Sequence, residues 1–259
     1  MAATRVAVLG ASGLAESLVL EGLRGRDVEA VAISRSLGVD VGDLEALSRA
    51  LAGADVVVDA LNHQTLSARA AVRFFESAAS QVVAAVEGSQ PRVVCLSIIN
   101  AANPRVHRWL GYYRGKAAQE DVYRRSGLPL SMVRTTQWFE LPEALLRQTR
   151  VGGTAFVPGI LSRPLAVAEA AEHLVEQALA PEAAEVTEIC GPEQVDLARL
   201  AQQVNAQDHL VPRVVRIPLG MTALGSGALI PRSPTVITTT TPQQWLARRT
   251  PRPPSSAPL

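Results

Sequence analysis

The chain has 259 residues, a length that suits one large domain or one domain with an attached cap. Its 25 basic residues nearly balance its 24 acidic ones, and the net charge of +1 excludes a long-range field that would draw the chain to nucleic acid or an anionic membrane. A hydrophobic content of 47% with 19% charged residues excludes wholesale disorder. No apolar run approaches the roughly 18 residues that a membrane-spanning helix needs.

The compartment and the partners are predicted from the same residues. The first strand-like segment begins at Arg5, which leaves no room for a signal peptide. Cys95 and Cys190 have no metal-ligand spacing and are predicted to be reduced, buried thiols, and the 4 histidines show no metal-binding pattern. We therefore expect a cytoplasmic protein, a monomer or homodimer, that binds a small-molecule substrate without a metal, nucleic acid or membrane partner.

The first half of the chain alternates between short β-branched runs and longer stretches rich in Ala, Leu, Glu and Arg. The short runs are almost continuously apolar, as expected for strands of a parallel sheet that is covered on both faces. They predict strands at residues 5–9, 28–33, 55–60, 92–97 and 130–134, with helices at 13–24, 43–51, 65–79 and 112–125. Residues 37–41 are a candidate for a short further strand. This alternation predicts an α/β fold with a Rossmann-like, doubly wound parallel sheet.

The chain changes in character after Arg134, where prolines become frequent. Helices are predicted near residues 167–180 and 196–205, and Thr241 followed by Pro242 predicts the start of another helix. We read this part as the end of the sheet plus a small C-terminal cap on the substrate side. The predicted organisation is therefore a Rossmann domain at 1–150, the remaining strands and the cap at 151–248, and a disordered tail at 249–259.

A glycine-containing turn directly follows the first predicted strand and precedes a helix. Gly10, Ala11, Ser12 and Gly13 are all small, and small residues allow the backbone to approach a diphosphate at a helix N-terminus. The third position of this glycine pattern is Glu16, where a glycine normally permits close packing of helix and sheet. One interpretation of Glu16 is a first-turn carboxylate that the helix dipole stabilises. The other is a negative charge that competes with the phosphates and weakens cofactor binding.

The second predicted strand ends in Ser34, Arg35 and Ser36. An acidic residue at this place suits the ribose 2′-hydroxyl of NAD, whereas arginine suits the 2′-phosphate of NADP. Arg35 between two hydroxyls is therefore a candidate phosphate clamp, and the alternative is a solvated surface arginine. The pattern favours NADP over NAD.

Tyr112 and Lys116 are i,i+4 neighbours on one face of a predicted helix, and Lys116 is the only lysine of the chain. An ammonium close to a phenol favours the phenolate, which brings the pKa of the phenol toward neutrality for proton exchange with a carbonyl. Ser97 at the end of a central strand is a candidate to polarise that carbonyl. The alternatives are aromatic packing for Tyr112 and a satisfied strand-end hydroxyl for Ser97, and Tyr113 could replace Tyr112. Gly115 in this helix indicates close approach of a backbone or a ligand.

Together, these motifs resemble the atypical short-chain dehydrogenase/reductase superfamily in its NAD(P)-binding, NmrA-like branch. The matching stretches are VAVLGASGL (6–14), SRS (34–36), GADVVVDALN (53–62), LS (96–97), YYRGKAAQE (112–120), SGLPLSMVRTTQWFE (126–140) and ICGPE (189–193). The resemblance implies a cofactor laid across Gly10, Ala11, Ser12, Gly13, Leu14, Arg35, Asn62 and Lys116. It also implies a substrate cleft formed by Ser97, Tyr112, Trp138, Phe139 and the C-terminal segment. The chain departs from the pattern of this superfamily at two places, which are Glu16 and the long segment between Ser97 and Tyr112.

Three hypotheses about function follow. The first is an NADP-preferring oxidoreductase, with NAD as the alternative, that reduces a small carbonyl, quinone-like or enone compound by hydride transfer. Tyr112 then protonates the developing alkoxide, Lys116 binds ribose and lowers the pKa of the tyrosine, and Ser97 orients the carbonyl. The second is a non-catalytic dinucleotide sensor, which needs only Gly10, Gly13 and Arg35. A third reading is a scaffold in which Glu16 has ended cofactor binding.

Overall fold

The structure, a computed structural model, describes residues 3–10, 13–65, 67–107 and 110–250. Its β-strands are β1 (Thr4–Leu9), β2 (Val28–Ile33), β3 (Val56–Asp59), β4 (Arg92–Ile98), β5 (Leu130–Thr135), β6 (Arg150–Val151), β7 (Thr154–Pro158), β8 (Leu161–Ser162), β9 (Val186–Cys190), β10 (Val195–Asp196), β11 (Arg213–Ile217) and β12 (Val236–Ile237). Its α-helices are α1 (Leu14–Leu23), α2 (Leu44–Leu51), α3 (Ala68–Ala85), α4 (Pro104–His107), α5 (Gly111–Ser126), α6 (Leu141–Gln148), α7 (Val167–Leu179), α8 (Leu197–Asp208) and α9 (Pro242–Arg248). No helix among these residues is long and apolar enough to cross a bilayer.

The main sheet has the strand order β12-β9-β5-β4-β3-β1-β2. The pairings of β1 with β2 and β3, of β4 with β3 and β5, and of β9 with β12 are all parallel. Such strands are buried on both faces, which explains the almost unbroken apolar runs of β1, β3 and β4. The doubly wound, Rossmann-like α/β fold predicted from the sequence is confirmed.

The order of the strands places a topological switch point at β1. The chain moves from β1 to β2 on one side and returns to β3 on the other side. In open α/β sheets, ligands bind outside the carboxyl ends of the strands at such a point. Gly10 follows β1 and Asn62 follows β3, so both lie at this edge.

Local sequence signals explain where several helices begin. Asp43 caps α2 by accepting a hydrogen bond from the Ala46 N–H at 3.0 Å. Thr241 and Gln244 form a reciprocal capping box at the start of α9, with Pro242 in the first turn. The helix start predicted at Thr241 and Pro242 is therefore confirmed.

The strand proposed at residues 37–41 is wrong. Arg35–Leu37 forms one turn of 3₁₀-helix, and Gly38 follows it with a left-handed φ of +86°. A residue in that conformation turns the chain out of the extended path that a strand requires. Asp40 and Gly42 continue the turn, with the Gly42 N–H donating to the Asp40 carboxylate at 2.8 Å.

The described chain forms two compact units. The first comprises Met1–Thr135 with Ala168–Glu188, and the second comprises Thr136–Val167 with Ile189–Leu259. The core of the first unit packs sheet residues such as Leu9, Val57 and Met132 against helical residues such as Val82 and Tyr123. The predicted division at residues 150 and 248 stays a prediction, and residues 251–259 of the tail predicted at 249–259 lie outside the described residues.

The second unit has its own small sheets and core. The three-stranded sheet β11-β7-β6 packs against α6 and α8, around a core that includes Leu146, Val157 and Val204. Phe139, implied by the resemblance to line a cleft, is fully buried here and stacks on Trp245 with 5.4 Å between ring centroids.

Candidate functional site

Gly10 and Gly13, the described ends of the turn after β1, have features expected of a dinucleotide-binding loop. Gly10 adopts φ +87°, a left-handed conformation that favours glycine. Its N–H donates to the Ile33 carbonyl at 2.9 Å, and the Gly13 N–H donates back to the Gly10 carbonyl at 2.8 Å. Gly13 is the N-cap of α1 and provides no side-chain cap. Ala11 and Ser12 lie outside the described residues.

The side chain of Glu16 covers this turn from the first turn of α1. A Cβ atom added to Gly10 would lie 2.8 Å from Glu16 Oε1, and a Cβ added to Gly13 would overlap Oε2. The Glu16 residue is only 3% exposed. Burial raises its pKa from 4.5 to about 7, a rise that its own backbone N–H and Lys116 reduce and Asp59 increases. The carboxyl group therefore occupies the room that the two glycines leave open.

Lys116 is buried below the same edge of the sheet. Its Nζ donates at 3.0 Å to the carbonyls of Leu61 and Leu96 and to Gln119 Oε1. The ammonium also lies 4.5 Å from the centre of the Phe75 ring. All three ammonium hydrogens are thus engaged within the protein, and Lys116 ties the chain at the ends of β3 and β4 to α5.

Asp59 forms a second part of this buried network that the sequence analysis missed. Its Oδ2 accepts hydrogen bonds from Gln119 Nε2 at 2.7 Å and from the Tyr123 hydroxyl at 2.6 Å. Its Oδ1 accepts the Leu61 N–H at 3.0 Å. A signal was present in the sequence, because residues 116, 119, 120 and 123 are polar at the spacing of one helix face.

Ser97, near the end of β4, belongs to a separate group of interactions that centres on Glu120 of α5. Its hydroxyl donates to Glu120 Oε1 at 2.6 Å, and Glu120 is also bound by Arg134 at 2.9 and 2.7 Å and by Arg124 at 2.5 Å. Burial alone would raise the pKa of Glu120, but the hydrogen bonds from Arg134 and Ser97 and the arginine charges hold it below its ordinary value. The structure therefore pairs Ser97 with Glu120.

Tyr112 is partly buried near Lys116. Its ring packs edge-on against Phe75, with 5.5 Å between the centroids. Burial raises the pKa of the phenol, which Lys116 counteracts and Glu16 and Cys95 reinforce. The lowering by Lys116 that the sequence suggested is present, but burial outweighs it, so Tyr112 is held in its protonated form. Its neighbour Tyr113 is more deeply buried, at 4% exposed.

Arg35 is exposed at the carboxyl end of β2. The hydroxyls of Ser34 and Ser36 on either side of it lie 2.9 Å from each other. Because β1 and β2 pair in parallel with Leu9 opposite Ile33, Ser34 lies beside Gly10 at the edge of the sheet. Asn62 is exposed beyond β3, at the same edge.

An open groove of about 770 Å³ adjoins the connection that follows Arg35. It is bordered by Asp40 and Gly42 from that connection and by His63, Arg73 and Phe74 from β3–α3 and α3. The rings of His63 and Phe74 stack with 4.5 Å between their centroids. Flat aromatic surfaces of this kind suit the stacking of a planar ligand group.

The structure thus brings four groups into one electrostatic cluster at the glycine turn: Glu16, Asp59, Tyr112 and Lys116. Ser97 joins the Glu120 group instead. Cys95 and Cys190 are buried thiols outside any disulfide, as predicted. Across the residues that the structure describes, no three His, Cys, Asp or Glu side chains form a group able to hold a metal ion.

The chain therefore has the defining features of a Rossmann-type dinucleotide-binding protein. The glycine turn and the start of α1 fit a diphosphate if the Glu16 carboxyl moves away from Gly10 and Gly13. Residues 23–178 match a family model described as NAD(P)H-binding, which is more than half of the chain, and the chain belongs to this family. A search of curated proteins found no match.

Solved structures share the fold at low sequence identity. A short-chain dehydrogenase/reductase superfamily protein from Agrobacterium tumefaciens with bound NAD has a TM-score of 0.65 and 16% identity, over 94% of this chain and 95% of that one. An NADPH-dependent quinone oxidoreductase from Escherichia coli, complexed with NADPH, has a TM-score of 0.61 and 18% identity, over 84% and 80%. UDP-N-acetylglucosamine 4-epimerase from Bacillus cereus has a TM-score of 0.64 and 17% identity, over 83% and 85%. The NmrA-like branch stays a prediction.

Proposed function

We propose that this protein is an NAD(P)-dependent oxidoreductase, with NADP preferred, that reduces a small carbonyl, quinone-like or enone compound. The observation that carries the proposal is the position of Tyr112, which packs on Phe75 one turn before Lys116 on α5, where burial raises the pKa of its phenol. Within the described part of the chain, its hydroxyl makes no hydrogen bond. A neutral phenol that no described residue binds can supply the proton that the product oxygen of a reduction must receive.

The residues that would hold the cofactor lie along the carboxyl edge of the sheet. The backbone of Gly10, Gly13 and Leu14 would receive the diphosphate, with Ala11 and Ser12 between them. Arg35, flanked by Ser34 and Ser36, would bind a 2′-phosphate, and Asn62 and the groove at His63 would border the adenosine. When bound, the nicotinamide supplies the hydride.

The chain's own residues would handle the proton and the charge. Tyr112 would donate its hydroxyl proton to the oxygen of the substrate, and the fixed charge of Lys116 would stabilise the phenolate that results. Contact between Lys116 and a ribose requires the exchange of one of its three present hydrogen bonds. Likewise, Ser97 orients a carbonyl only if its hydrogen leaves Glu120.

Replacement of Tyr112 by phenylalanine tests the proposal. We expect the rate of NADPH consumption with a responsive carbonyl or quinone substrate to fall by about 10²–10⁴-fold, because a general acid contributes about that factor. The dissociation constant for NADPH should stay unchanged, since the ring and its packing on Phe75 are retained. Steady-state kinetics and calorimetric titration measure the two quantities.

Tyr113→Phe is the matched control, because Tyr113 is the buried neighbour on the same helix. It should keep native turnover. Equal loss of turnover in both variants, or full turnover in Tyr112→Phe, would contradict the assignment of Tyr112 as the proton donor.

A second candidate function is a dinucleotide-binding regulator without turnover. It is favoured because Lys116 and the Ser97 hydroxyl already donate their hydrogens to acceptors within the protein. This function predicts NADPH binding in the native protein and no consumption of NADPH across a panel of carbonyl and quinone substrates.

We further propose that the protein acts in the cytoplasm as a monomer or homodimer on a small-molecule substrate. The balanced net charge of +1 supports a partner that is neither nucleic acid nor an anionic membrane. Light scattering of the purified protein measures the oligomeric state.

A further inference from the structure

The Glu16 carboxyl lies against Gly10 and Gly13, the two glycines that the proposed function assigns to a dinucleotide diphosphate. Its two oxygens fill the positions that side chains at Gly10 and Gly13 would take. A phosphate that binds at the start of a helix uses the backbone N–H groups of the first turn and needs the backbone uncovered. The backbone N–H of Glu16 itself already favours the ionised form of this carboxyl. The side chain therefore occupies the site as an internal anion.

The charges that face Glu16 do not neutralise it. On α5, Lys116 donates its three hydrogens to other acceptors, and Tyr112 is an uncharged phenol. On β3, Asp59 adds a further negative charge. Glu16 forms no ion pair with any residue that the structure describes. A buried carboxylate without a counter-ion is costly, and a proton is the simplest way to remove its charge.

We propose that the protonation of Glu16 controls access of the dinucleotide to the glycine turn. The ionised carboxylate opposes binding of the dinucleotide at the turn, and the protonated side chain permits it. This inference rests on the proposed function, because it concerns the binding of the same cofactor. It assigns to Glu16 the regulation of NAD(P) binding by pH.

The sign of the effect follows from like-charge repulsion. A bound diphosphate disfavours the ionised form of Glu16, so the complex keeps its proton to a higher pH than the free protein does. Because the free group has a pKa of about 7, the affinity for the dinucleotide falls as the pH rises above this value. The affinity can fall by at most about tenfold per pH unit. At pH 8, up to about one proton is taken up when the dinucleotide binds.

The test compares native protein with Glu16→Gln, which keeps the size of the side chain and removes its charge. NADPH is titrated calorimetrically at pH 7, 8 and 9, in pairs of buffers with different ionisation enthalpies, so that proton uptake is measured with affinity. Both proteins experience the same titration of the ligand's phosphates, so their difference isolates Glu16. Glu21→Gln, an exposed carboxyl on the same helix, is the matched control.

We expect native protein and Glu21→Gln to lose affinity by several-fold to tenfold per pH unit and to take up a proton at pH 8. Glu16→Gln should bind more tightly at pH 8, with a flat profile and no uptake. Equal affinities and equal profiles in native protein and Glu16→Gln would overturn the inference and leave the proposed function intact. Failure of every protein to bind NADPH at any pH would overturn the proposed function, and the inference with it.

Two further outcomes are decisive. If native protein fails to bind even at pH 6 while Glu16→Gln binds, the carboxyl blocks the turn regardless of its proton, and the inference is overturned. If Glu16→Gln does not fold, proton uptake by the native protein decides, since no uptake at pH 8 would overturn the inference.

Discussion

Burial sets the protonation of the individual residues around the glycine turn. The pKa of Glu16 rises to about 7 and that of Tyr112 rises above its ordinary value, although Lys116 acts against both shifts. The i,i+4 spacing of Tyr112 and Lys116 was enough to predict that they are neighbours. It could not show that burial outweighs the ammonium, because Tyr112 is packed by residues that are distant in the sequence, such as Phe75 on α3.

The raised pKa of Glu16 has a consequence for stability. The folded protein binds this proton more tightly than the unfolded chain does, so stability falls as the pH rises from 4.5 through about 7. At about 1.4 kcal/mol per pKa unit, the cost of the ionised form approaches about 3 kcal/mol. We expect Glu16→Gln to exceed native protein in the free energy of unfolding by about this amount at pH 8.

Urea unfolding at pH 5 and pH 8 measures this difference, which should fall to about 1 kcal/mol at pH 5, because the unfolded chain is already mostly ionised at this position there. Glu21→Gln again serves as the control and should differ little from native protein at either pH. If Glu16→Gln were more stable than native protein by the same free energy at both pH values, the raised pKa of Glu16 would be contradicted, because the difference would not arise from ionisation.

At the scale of elements, the contact between α3 and α5 positions Lys116 and Tyr112. A Cβ at Gly115 would lie 2.6 Å from Phe75 Cδ2 and 2.9 Å from the Ala71 carbonyl oxygen. One turn earlier, a Cβ at Gly111 would lie 2.6 Å from the Cα atom of Ala68. The two glycines thus allow α5 to approach the backbone of α3. The sequence suggested a close approach at Gly115, and the structure identifies α3 as the partner.

Gly115→Ala is therefore expected to destabilise the protein, although alanine is favoured over glycine in a helix by about 1 kcal/mol. Overpacking against the α3 backbone costs about 1–3 kcal/mol, and this term should exceed the gain in helix propensity. The free energy of unfolding in urea measures the change. Arg114→Ala, at the exposed neighbouring position, should have little effect, and a stabilised Gly115→Ala would refute the close contact.

At the scale of the whole molecule, cofactor binding should be visible as thermal stabilisation. A ligand that binds only the folded state at 100 times its dissociation constant contributes about 2.7 kcal/mol. For a chain of this size that corresponds to a rise in Tm of about 5–10 °C. We expect NADPH to produce this rise at pH 7, and differential scanning calorimetry measures it.

Arg35 should determine which cofactor stabilises more. Arg35→Ser should reduce the rise in Tm that NADPH gives and leave the rise that NADH gives nearly unchanged, because only NADPH carries the 2′-phosphate. Arg73→Ser, a basic residue at the groove, is the control for general charge. Equal losses for NADPH and NADH in Arg35→Ser would contradict a 2′-phosphate clamp.

The sequence by itself determined the elements of this protein and the nature of its glycine turn. These features act over a few neighbouring residues, so they can be recognised without a structure. They are the apolar runs, capping residues such as Asp43 and Thr241, and Gly10 after the first strand. The failed strand at residues 37–41 shows the limit, since a single left-handed Gly38 redirected the chain. Only the tertiary structure decided which acceptors take the hydrogens of Lys116, that Ser97 donates to Glu120, and that Glu16 folds over the turn. The first two choices depend on contacts between residues that are distant in the sequence, such as Lys116 with Leu61 and Ser97 with Glu120. The position of Glu16 depends on the packing that buries its carboxyl and excludes water from it.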